Sequence, residues 1–164
     1  AGFYKDKTVA VVGGGNSALT AALLIAKYAS KVYLIYRQEK FCKAEPSWIE
    51  EVDKETKIEK IFGANVKELI GENKLEKLKL DNQKELEVDG LFIEVGSIPQ
   101  TKIAEDLGVL LDCENIKVDK SMKTNIQGVF AAGDVTNNPL NQIITACGEG
   151  SVAAYSAYQE LEKD

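Results

Sequence analysis

Two continuous apolar runs enclose a helical pattern near the start of the chain. Residues 7–12 and 31–36 are rich in Val, Ile, Leu and Tyr, which is typical of parallel strands buried on both faces. Between them, residues 16–29 repeat apolar side chains at helical spacing and contain many Ala and Leu residues. This order predicts one β-α-β unit of about 30 residues.

The pattern then changes from continuous to alternating. Residues 47–53, which follow Pro46, are predicted to form a short helix with proline in its first turn. Four later segments alternate polar and apolar residues: 57–62, 65–70, 75–80 and 85–88. Such alternation indicates an antiparallel meander with one solvated face. Residues 90–95 are again apolar and predict another buried strand.

Glycine and proline mark a domain boundary at residues 96–101. Beyond it, the pattern predicts a short helix near residues 104–107, strands at 116–118 and 129–132, and a final helix at about 142–161. Helices and strands alternate over much of the chain, so the predicted fold class is α/β.

Composition excludes several classes of function. The chain has 164 residues, of which 45% are apolar and 28% charged, with a net charge of −6. It lacks a basic cluster and an apolar run of about 18 residues, which argues against nucleic acid and membrane as partners. The sequence contains no histidine, which excludes Ser-His-Asp and Cys-His catalysis and most zinc sites within this chain. We therefore expect no metal site.

The three cysteines are far apart in the sequence. Cys42, Cys113 and Cys147 form no Cys-x-x-Cys motif. An odd, scattered set favours a reducing cytoplasm over a disulfide framework. The charged residues before the first strand do not resemble a secretory signal peptide, so we expect none. We assign no residue of this chain a catalytic role.

A glycine-rich turn follows the first predicted strand. Gly13 permits a tight turn, Gly15 allows the backbone to approach a pyrophosphate, and Ala18 allows close packing of helix on strand. The start of the following helix offers free N–H groups and the positive end of its dipole. The strand–turn–helix–strand context predicts a dinucleotide site here.

The end of the second strand is where such domains read the adenosine ribose. An acid there binds the 2′-hydroxyl of NAD, whereas an arginine accepts the 2′-phosphate of NADP. Arg37 favours the phosphate, but Glu39 would repel it. The residues alone leave NADP, NAD or neither open, with a slight preference for NADP.

A second motif lies near the end of the chain. Residues 129–132 lead into Gly133 and Asp134, where the glycine admits a close ligand and the aspartate can bind hydroxyl groups. The helix that opens at Gln142 has small residues in its first turns, which leave room for a flat ring. A second ligand site and a simple packed turn are both compatible with these residues.

Five segments, in order, resemble the low-molecular-weight thioredoxin reductase family of flavoprotein disulfide reductases. They are VVGGGNSA, VYLIYR, VGSIPQT, GVFAAGDV and NQIITACGEG. The resemblance implies that residues 1–98 form a Rossmann-like, three-layer NAD(P)-binding domain that includes the meander. It also implies that residues 99–164 are the second half of an FAD-binding domain.

The resemblance assigns ligand-binding roles to ten residues. The pyrophosphate loop of the family matches Gly13, Gly15, Asn16, Ser17 and Ala18. The first arginine of its His-Arg-Arg phosphate motif matches Arg37, its FAD-binding glycine–aspartate pair matches Gly133 and Asp134, and its flavin-ring contacts match Gln142 and Ile143.

The phosphate motif departs from the family pattern. Tyr36 replaces the histidine, Gln38 replaces the second arginine, and Cys42 stands where a further arginine is usual. A single arginine makes a thin phosphate clamp. We therefore expect weak discrimination between NADPH and NADH, and a ferredoxin or a deazaflavin is also compatible as electron donor.

The resemblance implies electron flow from NAD(P)H or another donor through FAD to a Cys-x-x-Cys pair, and then to thioredoxin or a similar disulfide protein. Such a pair precedes a Gly-Phe-Phe/Tyr segment in the family, and Gly2-Phe3-Tyr4 matches that segment. We expect a C-terminal fragment of a homodimeric enzyme, inactive alone. A ferredoxin–NADP reductase-like flavin enzyme and an isolated nucleotide-binding module are the alternatives.

Overall fold

The computed structural model describes residues 1–162. It divides into two compact units, one comprising Ala1–Gly96 and the other beginning at Ser97. Residues 163 and 164, which close the predicted second domain, lie outside the described residues.

The first unit is built on a four-stranded parallel sheet. After a 3₁₀ helix at Gly2–Tyr4, the elements are β1 (Thr8–Val12), α1 (Asn16–Ala26), β2 (Lys31–Tyr36), α2 (Pro46–Lys54), β3 (Ile58–Phe62), β4 (Val66–Ile70), β5 (Lys77–Leu80), β6 (Glu85–Glu87) and β7 (Gly90–Ile93). The sheet order is β3-β2-β1-β7, and all its neighbours are parallel. Strands β4, β5 and β6 form a separate antiparallel sheet.

The pleat of the parallel sheet produces the predicted three layers. Val9 and Val11 of β1 belong to the core shared with α1 and α2, whereas Ala10 belongs to the core shared with the antiparallel sheet. Side chains alternate between the two faces of a strand, so β1 must be apolar throughout. The Rossmann-like class predicted for this region is confirmed.

The prediction that residues 57–62 belong to the meander is wrong. These residues form β3, which pairs in parallel with β2 at the edge of the main sheet. Ile58 and Ile61 enter opposite cores, while Glu59 pairs with Lys31 at 2.6 Å. Charged residues are tolerated because an edge strand is partly solvated, and they made the segment look like part of a wet antiparallel sheet.

The second unit contains little regular strand structure. Its elements are α3 (Lys102–Asp106), β8 (Leu111–Asp112), β9 (Asn115–Ile116) and α4 (Ile143–Leu161). The predicted strand at residues 129–132 is wrong, since that segment makes only an isolated bridge between Lys123 and Phe130. Its apolar residues are explained by packing, because Val129 and Ala131 lie against a small core around Val109 and Ile116. Among the described helices, none combines the length and apolarity needed to cross a bilayer.

Candidate functional site

The turn after β1 requires glycine at its first position. Gly13 has φ +147°, and a Cβ added there would lie 2.2 Å from the carbonyl oxygen of Glu94 and 2.8 Å from the Cβ of Ala18. The Gly13 N–H donates to the carbonyl oxygen of Ile35 at 3.0 Å. The glycine therefore allows the turn to pass directly over the ends of β2 and β7, while Ala18 packs underneath.

The middle position of the turn, Gly14, also needs a glycine, but because of a different neighbouring residue. A Cβ on Gly14 would lie 2.3 Å from the Tyr36 ring. That ring is only 9% exposed and stacks on Phe41 with ring centroids 5.9 Å apart, so it cannot move aside freely. Gly14 was not predicted from the sequence, because its partner lies on the next strand and no local pattern connects the two residues.

Gly15 differs from both, because nothing lies within 4 Å of the position that its Cβ would occupy. It is the N-cap residue of α1 and provides no side-chain cap for the helix. The first N–H groups of an uncapped helix are available to an anion. Gly15 and the exposed Ser17 both line an open cavity.

This cavity has a volume of about 380 Å³ and lies at the carboxyl ends of β1, β2 and β7. The whole glycine turn lines it, together with Arg37, Lys43, Asn65 and Glu94. Ligands of open parallel sheets bind at this edge. The structure thus brings together Gly13, Gly15, Ser17 and Arg37, four of the residues predicted to bind a dinucleotide.

Two cations line the cavity. Arg37 was predicted from the end of β2, but Lys43 was not, since the sequence comparison placed Cys42 at the corresponding position. The Cys42 thiol contacts the carbonyl oxygen of Lys40 at 3.3 Å and does not line the cavity. Within residues 1–162, neither cavity cation forms an ion pair. Lys43 directly follows Cys42 in an irregular loop, so allowing a shift of one residue in the comparison with the family motif would have identified it.

Asn16 is engaged by a residue of the following loop and does not line the cavity. Its side-chain amide donates to Glu45 Oε1 at 2.9 Å, and the Glu45 N–H donates to Asn16 Oδ1 at 2.8 Å. Glu45 is the N-cap residue of α2. The two hydrogen bonds therefore connect the start of α1 to the start of α2.

Asn65, which also lines the cavity, is held by an aspartate. Asn65 donates its backbone N–H and its side-chain amide to the Asp81 carboxylate at 3.0 and 2.9 Å. The side-chain hydrogen bond from Asn65, followed by the backbone one, holds the pKa of Asp81 below its ordinary value. Glu39, which the sequence placed near a bound ribose, lies against Gly63 and does not line the cavity.

In the second unit, a glutamate from α4 holds the predicted glycine–aspartate turn. The Gly133 N–H donates to Glu149 Oε2 at 2.7 Å, and the Thr136 hydroxyl lies 2.8 Å from the Gly133 carbonyl oxygen. Gly133 has φ +80°, which favours glycine. Glu149 and Thr136 were not predicted. The Glu149 hydrogen bond joins α4 to a turn 16 residues earlier, and the Thr136 hydrogen bond lies within irregular chain.

A second cavity, of about 580 Å³, lies beside this turn. It is lined by Asp134, Asn141, Gln142, Ile143, Ala146 and Cys147. Three of the four residues predicted for this site therefore lie together, and Gly133 supports the turn without lining the cavity. Ile143 is 86% exposed, so an apolar side chain faces solvent at the first turn of α4. No cluster of three or more metal-ligating side chains occurs in the described part of the chain.

Together these features define the class of the first unit: a three-layer α/β unit with a glycine turn at the carboxyl edge of its parallel sheet. Residues 3–150 match the family described as pyridine nucleotide-disulphide oxidoreductase. The chain belongs to this family.

Relatives of known sequence and structure agree with this assignment. The chain is 36% identical over 167 residues to the thioredoxin reductase of Listeria monocytogenes, a match that covers 98% of this chain and 52% of the relative. The crystal structure of Lactococcus lactis thioredoxin reductase matches 99% of this chain and 55% of its own, with 32% identity and a TM-score of 0.87. That of T. acidophilum thioredoxin reductase matches 96% and 54%, with 38% identity and a TM-score of 0.81. The chain thus spans about half the length of the relatives it matches.

Proposed function

We propose that residues 1–98 bind a reduced nicotinamide dinucleotide and that NADPH is preferred over NADH. The observation that carries the proposal is the cavity at the carboxyl edge of the sheet, which is lined by the open Gly15 and by Arg37 and Lys43. The uncapped start of α1 and Ser17 would receive the pyrophosphate, because its N–H groups and dipole favour an anion.

The preference for NADPH rests on the second cation. A 2′-phosphate carries close to two negative charges near pH 7, and Arg37 alone would neutralise only part of them. Lys43 lines the same cavity, so two cations are available to the phosphate. This revises the expectation of weak discrimination, which was based on Arg37 alone.

We further propose that residues from 99 onward contribute to a flavin site, with FAD as the flavin. The fit rests on the cavity beside α4, where the Asp134 carboxylate and the exposed Ile143 side chain offer a hydroxyl acceptor and an apolar surface. Gln142 would provide a polar contact at the start of α4, and Gly133 would set the backbone of the turn. A bound flavin would supply two-electron chemistry between the nicotinamide and a disulfide.

For the parent protein we propose NAD(P)H-dependent reduction of thioredoxin or a similar disulfide protein, as a homodimer in the cytoplasm. The three free cysteines are exposed and form no disulfide in the described residues, which supports a reducing compartment. Disulfide exchange needs an attacking thiolate and a resolving thiol. Because no Cys-x-x-Cys motif occurs among these cysteines, we assign the redox pair to another part of the protein. Neither nucleic acid nor membrane is a partner in this proposal.

Titration of the 164-residue chain with NADPH and NADH tests the nucleotide assignment. A charge-assisted contact contributes about 1.5–3 kcal/mol, so Lys43→Met should weaken NADPH binding by at least about tenfold and leave NADH binding nearly unchanged. Lys40→Met is the matched control, because Lys40 lies in the same loop but does not line the cavity. Equal losses in both lysine variants, or equal affinity of the unsubstituted chain for the two nucleotides, would refute the preference.

A further inference from the structure

Lys43 lies in a segment without regular secondary structure. Residues 37–45 connect β2 to α2 and include both cavity cations. A flexible lysine in such a loop gains little specificity unless the backbone beneath it is held, because ordering the loop on binding costs entropy. The contacts that hold this loop therefore affect nucleotide choice.

The loop is anchored on each side of Lys43. Two residues earlier, the Phe41 ring packs between the rings of Tyr36 and Phe62, with centroids 5.9 and 4.9 Å away. Two residues later, Glu45 exchanges two hydrogen bonds with Asn16, at 2.9 and 2.8 Å. The first anchor connects the loop to the sheet, and the second connects it to the start of α1, directly after the glycine turn.

The Glu45 side chain has no evident part in holding its own helix. It makes no capping hydrogen bond to α2, although an N-cap side chain commonly does so. Its carboxylate instead accepts from Asn16, 29 residues away. The Glu45 side chain therefore contributes to the contact with the start of α1 and not to the cap of its own helix.

We propose that Glu45 is a positioning residue for nucleotide specificity: its paired hydrogen bonds with Asn16 hold the loop against the glycine turn, so that Lys43 faces the cavity. The inference rests on the proposed function, since it assumes that a dinucleotide occupies this cavity. Glu45 touches no part of the ligand in this proposal and acts only through Lys43.

The test compares two substitutions in the 164-residue chain. Glu45→Gln removes the charge but keeps an oxygen that can accept from Asn16, whereas Glu45→Ala removes both. Since a net hydrogen bond changes an equilibrium by about fivefold, Glu45→Ala should bind NADPH about fivefold more weakly than Glu45→Gln. Both variants should bind NADH within about twofold of each other.

A second experiment asks whether Glu45 acts by positioning Lys43 or by supporting the fold in general. In the first case, the effect of Glu45 on NADPH affinity depends on Lys43. In a Lys43→Met background, replacing Glu45 by Ala or by Gln should give the same NADPH affinity, because the side chain through which Glu45 acts is gone. The fluorescence of Trp48, the only tryptophan, reports whether α2 is intact. If Glu45→Ala fails to fold, Glu45→Ser takes its place, since serine is a good N-cap and is too short to keep the Asn16 contact.

The outcomes distinguish this inference from the proposed function. Failure of the unsubstituted chain to bind either nucleotide would overturn both. Binding of both nucleotides, with equal losses of NADH and NADPH in Glu45→Ala, would overturn only the positioning role. A difference between the Ala and Gln variants that persists without Lys43 would do the same.

Discussion

Replacing Gly13 and Gly15 by alanine, one at a time, tests two predictions about the turn. We expect Gly13 to be needed for the fold and Gly15 to be needed for ligand binding. At Gly13 the new Cβ would lie 2.2 Å from a backbone oxygen of Glu94, which cannot rotate away as a side chain would. To relieve this steric contact, β1 and β7 would have to separate at the point where the Glu94 N–H donates to the Val12 carbonyl oxygen at 2.8 Å.

The expected cost at Gly13 follows from three terms. The backbone conformation at φ +147° costs a non-glycine residue about 1–3 kcal/mol. The weakened hydrogen bond costs about 1 kcal/mol, and overpacking adds about 1–3 kcal/mol. Because these terms overlap, we expect Gly13→Ala to lower the free energy of unfolding by about 3–5 kcal/mol.

Gly15→Ala provides the matched control. At Gly15, φ is −99° and no atom lies within 4 Å of the new Cβ. Loss of a favourable N-cap glycine costs about 0.5–1 kcal/mol, and the reduced entropy of the unfolded chain offsets about 0.4–1 kcal/mol. Stability should stay within about 1 kcal/mol of the parent, while the methyl group occupies the cavity and weakens nucleotide binding.

Urea unfolding followed by Trp48 fluorescence measures both variants. Trp48 packs against the core of the first unit, so its signal reports the unfolding of that unit. With a slope of about 1.5 kcal/mol/M, a loss of 3 kcal/mol lowers the midpoint by about 2 M. Equal midpoints for the two variants would refute the steric argument, and unchanged NADPH affinity in Gly15→Ala would refute the ligand role of Gly15.

Three further outcomes are expected. NADPH affinity should fall more steeply with salt in the parent chain than in Lys43→Met, because screening weakens the charge contact; parallel salt dependences would contradict its role. The lowered pKa of Asp81 means that its carboxylate stabilises the fold above its ordinary pKa and that this contribution disappears as pH falls through the folded-state pKa. Urea midpoints of the parent and Asp81→Asn should therefore differ at neutral pH and converge in acid, and a constant difference would exclude the Asn65 contact as the cause. Amide exchange at Gly133 should be faster in Glu149→Ala than in Glu149→Gln, which keeps an oxygen acceptor, and equal rates would show that Glu149 does not hold the turn.

The sequence by itself determined the helices and strands that depend on the pattern of neighbouring residues. Apolar runs identified β1 and β2 because strands buried on both faces need side chains of one kind throughout. The roles predicted for Gly13 and Ala18 agree with the close approach of Gly13 to Ala18 and to the end of β7. The helix starting at Asn16 and the long final helix were placed from their periodicity, within a few residues of the observed bounds.

Only the tertiary structure decided which distant residues meet. The alternation in β3 was ambiguous, because an edge strand of a parallel sheet and a strand of a wet meander bear the same mixture of side chains. The contact between Gly14 and Tyr36, the hydrogen bonds between Asn16 and Glu45, and the position of Lys43 join the glycine turn to a later loop. No repeat or local preference encodes these distances, because they depend on how the packed sheet brings separate loops to one edge.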